Sequence, residues 1–366
     1  MSHVPKVLLL DLSAQFGGAS SRVLGLLARY PDQHAVLGAL TDSPVYREAR
    51  AQGLPVVGLG RHKADPRLLG RLCRFCRAQG IELIDSHNIQ SQFWAHWTSR
   101  RCGIAHVSTL NSWYALEYRQ HWRAQLYPWL ANALRPDGPL IVVSDAIRQA
   151  LLAEGVESNR IHLIPNAMAP TPTMAVSRAE LAQRYGLDPN RPWLLTVARL
   201  EAAKRVDRYL DAVSQLPQVQ GIVVGDGHLR AQLAETVQTQ ALPVVMTGAL
   251  PYGETQALMA ASDLLMLSSD TEGTPLVLLE GAALAKPMVA TAVGGIPELF
   301  QHDEHALLMP TDAMALAAAV RDLLADPGKA ERLGHAAQVR LRERFSPEQQ
   351  LSQTLSAYRA ALESPL

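Results

Sequence analysis

Short apolar runs alternate with longer stretches of helical periodicity through the first half of the chain. The helical periodicity is clearest at 19–29 and 67–79. The apolar runs predict strands at 6–12, 35–40, 56–59, 81–87, 106–110, 140–144 and 161–165. Strands that alternate with helices are typical of a mostly parallel sheet with helices on both faces. Ligands of such sheets bind at the carboxyl ends of the strands, so the residues after each run are the first candidates for function.

The second half repeats this alternation after a proline-rich segment. Residues 165–192 contain five prolines, and within them only 177–185 has a helical pattern. Further strands are predicted at 193–198, 221–225, 244–247, 264–268, 288–291 and 306–309. The whole pattern predicts an α/β protein with two facing Rossmann-like, doubly wound domains and a cleft between them. The expected domains are 1–168 and 169–345, with a C-terminal helix at 346–366 that packs back on the first domain.

The composition is that of an ordinary globular protein. The 366 residues are 48% hydrophobic and 19% charged with formal net charge +0, which gives no electrostatic reason to expect nucleic-acid binding. Cys73, Cys76 and Cys102 are an odd number of cysteines and suit a reducing compartment, and their single C-x-x-C pair predicts no metal site. The first apolar run is too short for a signal peptide, and no run approaches the ~18 residues of a membrane span. A cytoplasmic protein is therefore expected.

The most informative segment is 268–298, where a glycine-containing turn precedes a short apolar helix. Thr274 is a good candidate for the N-cap, and Pro275 suits the first helical turn. The apolar run that follows has no polar face, which predicts a fully buried helix. The first N–H groups of this helix, those of Leu276 and Val277 together with that of Thr274, would form an anion site.

Two glutamates bracket the same turn. Glu272 precedes Gly273, and Glu280 follows after seven intervening residues, about two helical turns into the helix. Carboxylates repel phosphate but accept hydrogen bonds from hydroxyl groups, and a sugar nucleotide carries hydroxyls at both ends of a diphosphate. The two acids therefore fit the two ends of a sugar nucleotide. From the spacing alone, a capped core helix with two structural acids is an equally good interpretation.

The segment EGTPLVLLEGAALAKPMVATAVGGIPE resembles the signature of the large family of retaining glycosyltransferases with the GT-B fold, glycosyltransferase family four or glycosyl transferases group 1. The resemblance covers almost the whole chain, strongly from 194 to 298 and loosely before residue 110. It implies a hexosyltransferase that uses a nucleoside-diphosphate sugar, as in cell-surface polysaccharide or lipopolysaccharide synthesis. Many members have Phe-Gly or similar in place of Thr274 and Pro275, which leaves the sugar preference open.

A basic pair follows the first predicted strand of the second half. Arg199 and Lys204 straddle the turn that opens the next helix, where a guanidinium and an ammonium group can converge on a diphosphate. Basic residues at the start of a loop are common, so the assignment depends on their match to the Arg and Lys motif of the family. The resemblance also implies that Gly225, in the next strand-end turn, contacts the substrate.

Two features of the first half follow predicted strands. Gly17 and Gly18 lie before a helix, where paired glycines let the backbone approach a phosphate or an acceptor, and His87 ends the fourth strand. An ordinary turn and a structural histidine are the simpler interpretations when each is taken alone. The resemblance implies that both face the cleft and that His87 contacts the donor sugar or its reacting bond. The expected catalytic residues are His87, Arg199, Lys204 and Glu272.

The expected chemistry requires no cofactor and no metal. Charge builds up on the leaving diphosphate, where Arg199, Lys204 and the helix N-terminus would stabilise it. The chain contains no Asp-x-Asp motif, with which another large class of transferases holds a metal. The resemblance implies retention of the anomeric configuration, with the leaving phosphate taking the acceptor proton. UDP is the first expected nucleotide and GDP the second, and the expected acceptor is a glycan or a lipid-linked molecule.

Two other classes of protein with the same fold are alternatives. A sugar-nucleotide 2-epimerase would need no acceptor, and it would be expected to have a different pattern of acidic and histidine groups. A non-catalytic sugar-nucleotide-binding protein would be expected to lose part of the basic pair or of the acidic pair, and both pairs are complete here.

Tryptophan and arginine are concentrated between residues 94 and 135. Five of the six tryptophans and five arginines lie there, with Glu117 as the only acid. The tryptophans are Trp94, Trp97, Trp113, Trp122 and Trp129. Aromatic and basic side chains together suit a lipid headgroup interface or an acceptor surface. Tryptophans in a core beneath a solvated arginine face are a slightly better interpretation, and peripheral contact with the inner face of the cell membrane remains an expectation.

Overall fold

The computed structural model describes residues 3–14, 16–111, 132–168 and 176–363. The chain forms two compact units. The first comprises Met1–Ala167 together with Pro347–Leu366, and the second comprises Met168–Ser346.

The sheet of the first unit has seven strands, all paired in parallel. The strands are β1 (Val7–Asp11), β2 (Ala35–Ala39), β3 (Val56–Gly58), β4 (Leu83–Ser86), β5 (Ala105–Leu110), β6 (Leu140–Val142) and β7 (Ile161–Leu163). Their order is β3-β2-β1-β4-β5-β6-β7. All seven strands predicted from the sequence are present, and their ends differ by at most a few residues. The short apolar runs are strands because helices cover both faces of the sheet, and every residue of β1 is buried.

Helices cover this sheet and begin with polar caps in several places. They are α1 (Gly18–Arg29), α2 (Pro44–Ala51), α3 (Arg67–Gln79), α4 (Ile89–Cys102) and α5 (Asp145–Ala153). Ser43, Asn88 and Ser144 each accept a hydrogen bond from a backbone N–H in the first turn of α2, α4 and α5. These caps satisfy donors that a helix leaves unpaired, which fixes where each helix begins after its strand.

The six strands of the second unit are also all parallel. They are β8 (Trp193–Val197), β9 (Gln220–Val224), β10 (Val244–Gly248), β11 (Leu264–Leu267), β12 (Met288–Thr291) and β13 (Leu307–Met309), in the order β10-β9-β8-β11-β12-β13. The helices are α6 (Arg178–Tyr185), α7 (Val206–Ser214), α8 (Arg230–Thr239), α9 (Tyr252–Ala261), α10 (Leu276–Ala283), α11 (Ile296–Leu299), α12 (Ala313–Ala325) and α13 (Pro327–Arg344). Each of the six predicted strands is present.

The last helix, α14 (Pro347–Glu363), belongs to the first unit. It packs against α1, β4 and β5. Tyr358 is fully buried and donates from its hydroxyl to Asp85 Oδ2 at 2.6 Å. Gln350 Nε2 donates to the carbonyl oxygen of Pro165 at 3.0 Å. The chain therefore returns to the first unit after it has completed the second. None of the described helices is both long enough and apolar enough to cross a bilayer.

Strand order reverses once in each sheet. In the first unit the reversal lies between β1 and β4, and in the second unit it lies between β8 and β11. The loops that leave adjacent strands at such a point go to opposite faces of the sheet, which opens a crevice at the carboxyl ends. The residues after β1, β4, β8 and β11 are therefore the ones that the fold places at ligand-binding positions.

Candidate functional site

An ion pair between Lys204 and Glu272 occupies the strand-order reversal of the second unit. Lys204 ends a 3₁₀ turn after β8, and Glu272 lies in the loop after β11. The Lys204 Nζ lies 2.7 Å from Glu272 Oε1 and 2.8 Å from Oε2. The side chains are 21% and 6% exposed, so the carboxylate is almost buried and depends on this cation. Ser269 Oγ donates to the same carboxylate at 2.6 Å.

Arg199 lies in the same loop after β8, but in a different environment. Its side chain is 42% exposed, and Nη1 lies 2.8 Å from Glu201 Oε1. The structure therefore brings Lys204 together with Glu272 and places Arg199 on Glu201. An exposed pair of this kind has little net strength, so the guanidinium can exchange Glu201 for another anion at small cost.

The backbone of Glu272 is fixed by the turn after β12. Gly295 N donates to the Glu272 carbonyl oxygen at 3.0 Å. Gly294 has φ +53°, and a Cβ built on it would lie 1.9 Å from the same oxygen. Thr291 Oγ1 holds the Ser269 carbonyl at 2.7 Å. The Gly-Gly pair of the sequence signature is therefore explained by close backbone approach, which positions the acid.

Replacing Gly294 by alanine is expected to destabilise the second unit and displace Glu272. The left-handed conformation alone costs about 1–2 kcal/mol for a residue with a Cβ, and the clash adds to it. The melting temperature and the activity should both fall. Gly328→Ala is the matched control, because a Cβ there meets nothing closer than 3.4 Å. An unchanged melting temperature in Gly294→Ala would show that this turn does not hold Glu272.

A buried arginine supports the loop that carries Glu272. Arg208, on α7, donates from Nη1 to the Ser268 carbonyl at 2.6 Å and from Nη2 to Asp270 Oδ1 at 2.6 Å. Arg205 also reaches Asp270, at 3.1 Å from Oδ2. Arg208 is not among the residues predicted from the sequence. The only signal was a basic residue at a position of α7 that otherwise packs into the core.

The helix α10 begins one residue later than the sequence predicted. Pro275, not Thr274, occupies the N-cap position, with φ −69° and ψ 114°, and its side chain forms no capping hydrogen bond. The prediction of a Thr274 cap was wrong because the extended ψ of Pro275 delays the first helical residue to Leu276. The N–H groups of Leu276 and Val277 now lie in the first turn, where helix geometry gives them no intrahelical acceptor. Gly273 lies in the turn before them.

The prediction that α10 is fully buried was also wrong. Leu278 and Leu279 face the core, whereas Leu276, Val277 and Glu280 are partly exposed. Residues three and four positions apart share one side of a helix, so Leu276 and Glu280 lie together on the open side. The apolar composition hid this face because only one polar residue marks it.

Glu280 is in an unusual electrostatic environment. Burial raises the pKa of Glu280 to about 7, and the side chain of Gln256 acts in the opposite direction. Gln256 is itself buried on α9. The carboxyl group therefore changes charge near neutral pH. The influence of Gln256 on Glu280 could not be predicted, because the two residues are 24 positions apart along the chain.

Gly225 follows β9 and lies against the loop that carries Arg199. It has φ +142°, and a Cβ on it would lie 1.9 Å from the Ala198 carbonyl oxygen. Leu200 N donates to the Asp226 carbonyl at 2.9 Å, which joins the two loops. Gly225 is thus required for the close approach of two strand-end loops.

In the first unit, Gly17 and Gly18 follow β1 at the strand-order reversal. Gly17 has φ −161° and ψ −171° at the N-cap position, without a side-chain cap, and Gly18 begins α1. The buried Asp11 accepts hydrogen bonds from Ser20 Oγ at 2.8 Å and from Asn88 Nδ2 at 2.8 Å. These bonds link the loops after β1 and β4, so the two glycines and His87 belong to adjoining loops.

His87 follows β4 and is buried, with 2% of its surface exposed. Its Nε2 lies 3.3 Å from Asp85 Oδ2, and no described residue forms a well-directed hydrogen bond with either ring nitrogen. Thr109 Oγ1 and the Tyr358 hydroxyl donate to the carboxylate of Asp85. Burial alone would raise the pKa of Asp85, but His87, Tyr358 and Thr109 outweigh it and hold the pKa below its usual value.

Within the described residues, no group of three or more histidine, cysteine, aspartate or glutamate side chains is arranged to hold a metal ion. The cysteines are free thiols. Burial raises the pKa of Cys73 to about 11 and that of Cys76 to about 12. At neutral pH these two side chains are protonated and behave as small apolar groups.

Comparison with known proteins agrees with this geometry. Residues 17–167 match the family model of the glycosyl transferase 4-like domain, and residues 177–340 match that of glycosyl transferases group 1. Alpha-maltose-1-phosphate synthase of Mycolicibacterium smegmatis is 28% identical over 94% of this chain and 95% of that protein. Alpha-D-kanosaminyltransferase of Streptomyces kanamyceticus is 29% identical over 56% of this chain and 56% of that protein.

Solved structures show the same fold. HepE from Anabaena, determined in complex with UDP and glucose, has a TM-score of 0.85 at 23% identity over 97% of this chain and 100% of HepE. Sucrose-phosphate synthase from Thermosynechococcus elongatus has a TM-score of 0.82 at 22% identity over 96% of this chain and 98% of the synthase. The fold and the two family matches define an enzyme of the GT-B glycosyltransferase class. The chain combines a glycosyl transferase 4-like domain in its first unit with a glycosyl transferases group 1 domain in its second unit.

Proposed function

We propose that the chain is a retaining, metal-independent hexosyltransferase that moves a hexose from a UDP-sugar to a glycan or lipid-linked acceptor, as in cell-surface polysaccharide or lipopolysaccharide synthesis. The observation that carries the proposal is the Lys204–Glu272 pair at the strand-order reversal of the second unit. A cation and a hydroxyl acceptor placed together at a ligand-binding position match a sugar diphosphate. HepE, which has this fold, binds UDP and glucose, and this supports the choice of UDP.

In this proposal the donor exchanges partners with the ion pair. The ammonium group of Lys204 leaves Glu272 and pairs with the diphosphate. The carboxylate of Glu272 then accepts hydrogen bonds from the hydroxyls of the sugar. Ser269 Oγ stays on the carboxylate and keeps it oriented. The exposed Arg199 moves from Glu201 to the same diphosphate. Binding of the donor therefore replaces two internal ion pairs by contacts with the substrate.

Bond cleavage places charge on the leaving diphosphate. Lys204, Arg199 and the N–H groups of Leu276 and Val277 stabilise this charge, and such fixed donors lower the barrier because they need no reorganisation. The leaving phosphate takes the proton of the acceptor hydroxyl, which attacks from the same face of the sugar, so the configuration is retained. No protein nucleophile is assigned. His87 contacts the sugar near the reaction centre.

Mixing the protein with UDP- and GDP-hexoses and an acceptor extract, in buffer with excess EDTA, tests this function. We expect UDP release that requires the acceptor and survives EDTA, because the charge on the leaving group is stabilised by protein cations. Acceptor-independent conversion of the sugar nucleotide would favour an epimerase. Activity that is lost in EDTA and restored by Mg²⁺ or Mn²⁺ would refute metal independence.

We also propose a cytoplasmic enzyme whose first unit binds the acceptor and touches the membrane surface. On α4, Trp97 is 46% exposed, whereas Trp94 is half-buried and donates from Nε1 to the Lys63 carbonyl at 2.8 Å. The other three tryptophans of this stretch fall within 112–131, outside the described residues. Attraction of each basic side chain to an anionic surface is worth about 1 kcal/mol and is screened by salt. Flotation with anionic liposomes should show binding at low salt only. Absence of binding at low salt would contradict the proposed membrane contact.

A further inference from the structure

A cavity of about 360 Å³ opens at the carboxyl ends of β2 and β3 in the first unit. It is lined by Thr41, Gly58, Leu59, Gly60, Arg61, His62, Asp65 and Arg71. None of these residues belongs to the proposed donor site. The cavity lies at the carboxyl ends of the strands, as do Gly17, Gly18 and His87. It is therefore on the ligand-binding side of this unit. Its volume is at the small end of the range for ligand pockets and suits a molecule of monosaccharide size.

The charge that lines the cavity is positive. Arg71 Nη1 donates to the Leu59 carbonyl at 3.0 Å and to Asp65 Oδ2 at 3.1 Å, so these two groups balance each other. The side chains of Arg61 and His62 make no hydrogen bond or ion pair with the described residues. The remaining charge is therefore that of Arg61.

Two glycines keep the cavity open. A Cβ on Gly58 would lie 2.6 Å from Thr41 Oγ1, and one on Gly60 would lie 2.4 Å from Arg71 Nη1. A side chain at either position would displace the lining or fill the space. The shape of the lining thus depends on glycine at two positions, which flank Leu59.

The loop that presents the basic side chains is fixed along its length. Thr41 N donates to the Gly60 carbonyl at 2.8 Å, and Leu68 N donates to the Asp65 carbonyl at 2.9 Å. Between them, Trp94 Nε1 holds the Lys63 carbonyl at 2.8 Å. Arg61 and His62 are therefore presented from an anchored backbone, which lowers the entropic cost of binding an anion.

We propose that this cavity binds a phosphate group carried by the acceptor, with Arg61 as the principal ligand. The inference rests on the proposed function, in which the first unit binds the acceptor. A guanidinium presents paired N–H donors that match phosphate oxygens, and Thr41 adds a hydroxyl within the same lining. The phosphate is either that of a small phosphorylated sugar or that of a lipid headgroup.

Calorimetry with α-glucose 1-phosphate, glucose and inorganic phosphate tests the proposal. The titrations are run with UDP at saturation, so that Arg199 and Lys204 are occupied. We expect both phosphate compounds to bind wild-type protein and glucose to bind at least about tenfold more weakly. Arg61→Ala should weaken the binding of both phosphate compounds about tenfold or more. Arg50→Ala is the matched control, because Arg50 is an exposed arginine of the same unit outside the cavity, and it should bind as wild type.

A second arm distinguishes the two sources of phosphate. If the group belongs to a lipid headgroup, vesicles of phosphatidylglycerol should bind wild-type protein and should bind Arg61→Ala more weakly. Vesicles of phosphatidylcholine should bind neither protein. If it belongs to a soluble sugar phosphate, only the calorimetric difference is seen. Equal affinities of wild type and Arg61→Ala for phosphate compounds and vesicles alike would overturn the proposal. Titration of UDP alone into Arg61→Ala should match wild type, and absence of UDP binding in both would count against the proposed function instead.

Discussion

Lys204→Ala and Arg199→Ala are each expected to lower turnover by on the order of 10²-fold or more at saturating donor, as expected for loss of a group that stabilises a charged transition state. Arg342→Ala, which removes an exposed arginine from α13, should keep wild-type turnover. Steady-state kinetics on the three variants measures the difference. Near wild-type turnover in Lys204→Ala or Arg199→Ala would remove that residue from the site.

The two basic variants should differ in stability. Glu272 is 6% exposed and loses its cation in Lys204→Ala, whereas Glu201 beside Arg199 is better hydrated. An uncompensated buried carboxylate costs several kcal/mol, and the partial exposure of Lys204 reduces this to about 1–3 kcal/mol. The double variant Lys204→Ala/Glu272→Gln should recover stability but no activity. That result would distinguish the contribution of the Lys204–Glu272 ion pair to stability from its contribution to catalysis.

Glu280→Gln is expected to weaken the binding of UDP by about 10- to 100-fold at pH 8, because a charge-assisted acceptor for the ribose hydroxyls is lost. Wild-type affinity should fall as the pH is lowered from 8 to 6, since the pKa of Glu280 is about 7 and its neutral form accepts less strongly. Glu280→Gln should bind with little dependence on pH over this range. Calorimetry at both pH values measures both effects.

The same variant should be more stable than wild type at pH 8. The pKa of Glu280 is raised from 4.5 to about 7, so the folded protein holds this proton more tightly than the unfolded chain does. The free energy of unfolding therefore falls as the pH rises from about 4.5 to about 7, by up to about 3 kcal/mol. Glutamine removes this loss, and the two proteins should converge near pH 4.5. A melting-temperature difference that does not change with pH would contradict the raised pKa.

Glu272→Gln provides the contrast. In the proposed division of roles, Glu272 contacts the transferred sugar and Glu280 the nucleotide. Glu272→Gln should therefore bind UDP nearly as wild type does and turn over the intact donor more slowly. If both variants weaken UDP binding equally, the acids act as one unit and the division is wrong.

The strands and the family were predictable from local features of the sequence. Apolar runs such as β1 and β11 are short and bounded by polar residues, which indicates buried parallel strands. The signature from Glu272 to Glu298 is continuous along the chain. Its acidic residues and glycines could therefore be identified without knowledge of the fold.

Other features depend on contacts between distant segments and could not be predicted. The partners Lys204 and Glu272 come from loops after two different strands, and only the strand order brings them together. The raised pKa of Glu280 results from burial, and the side chain of Gln256 on α9 opposes the rise. The start of α10 was misplaced because the backbone of Pro275 is extended, and composition does not specify its ψ angle.

The most direct test of the central claim is calorimetric titration of UDP, in EDTA, into wild-type protein, Lys204→Ala and Arg342→Ala. The claim is that the strand-order reversal of the second unit binds the diphosphate of the donor, with Lys204 transferred from Glu272. We predict one UDP bound per chain of wild type and of Arg342→Ala with equal affinity, and at least about tenfold weaker binding to Lys204→Ala. Equal affinity in Lys204→Ala, or no binding of UDP or GDP to wild type, would contradict the claim.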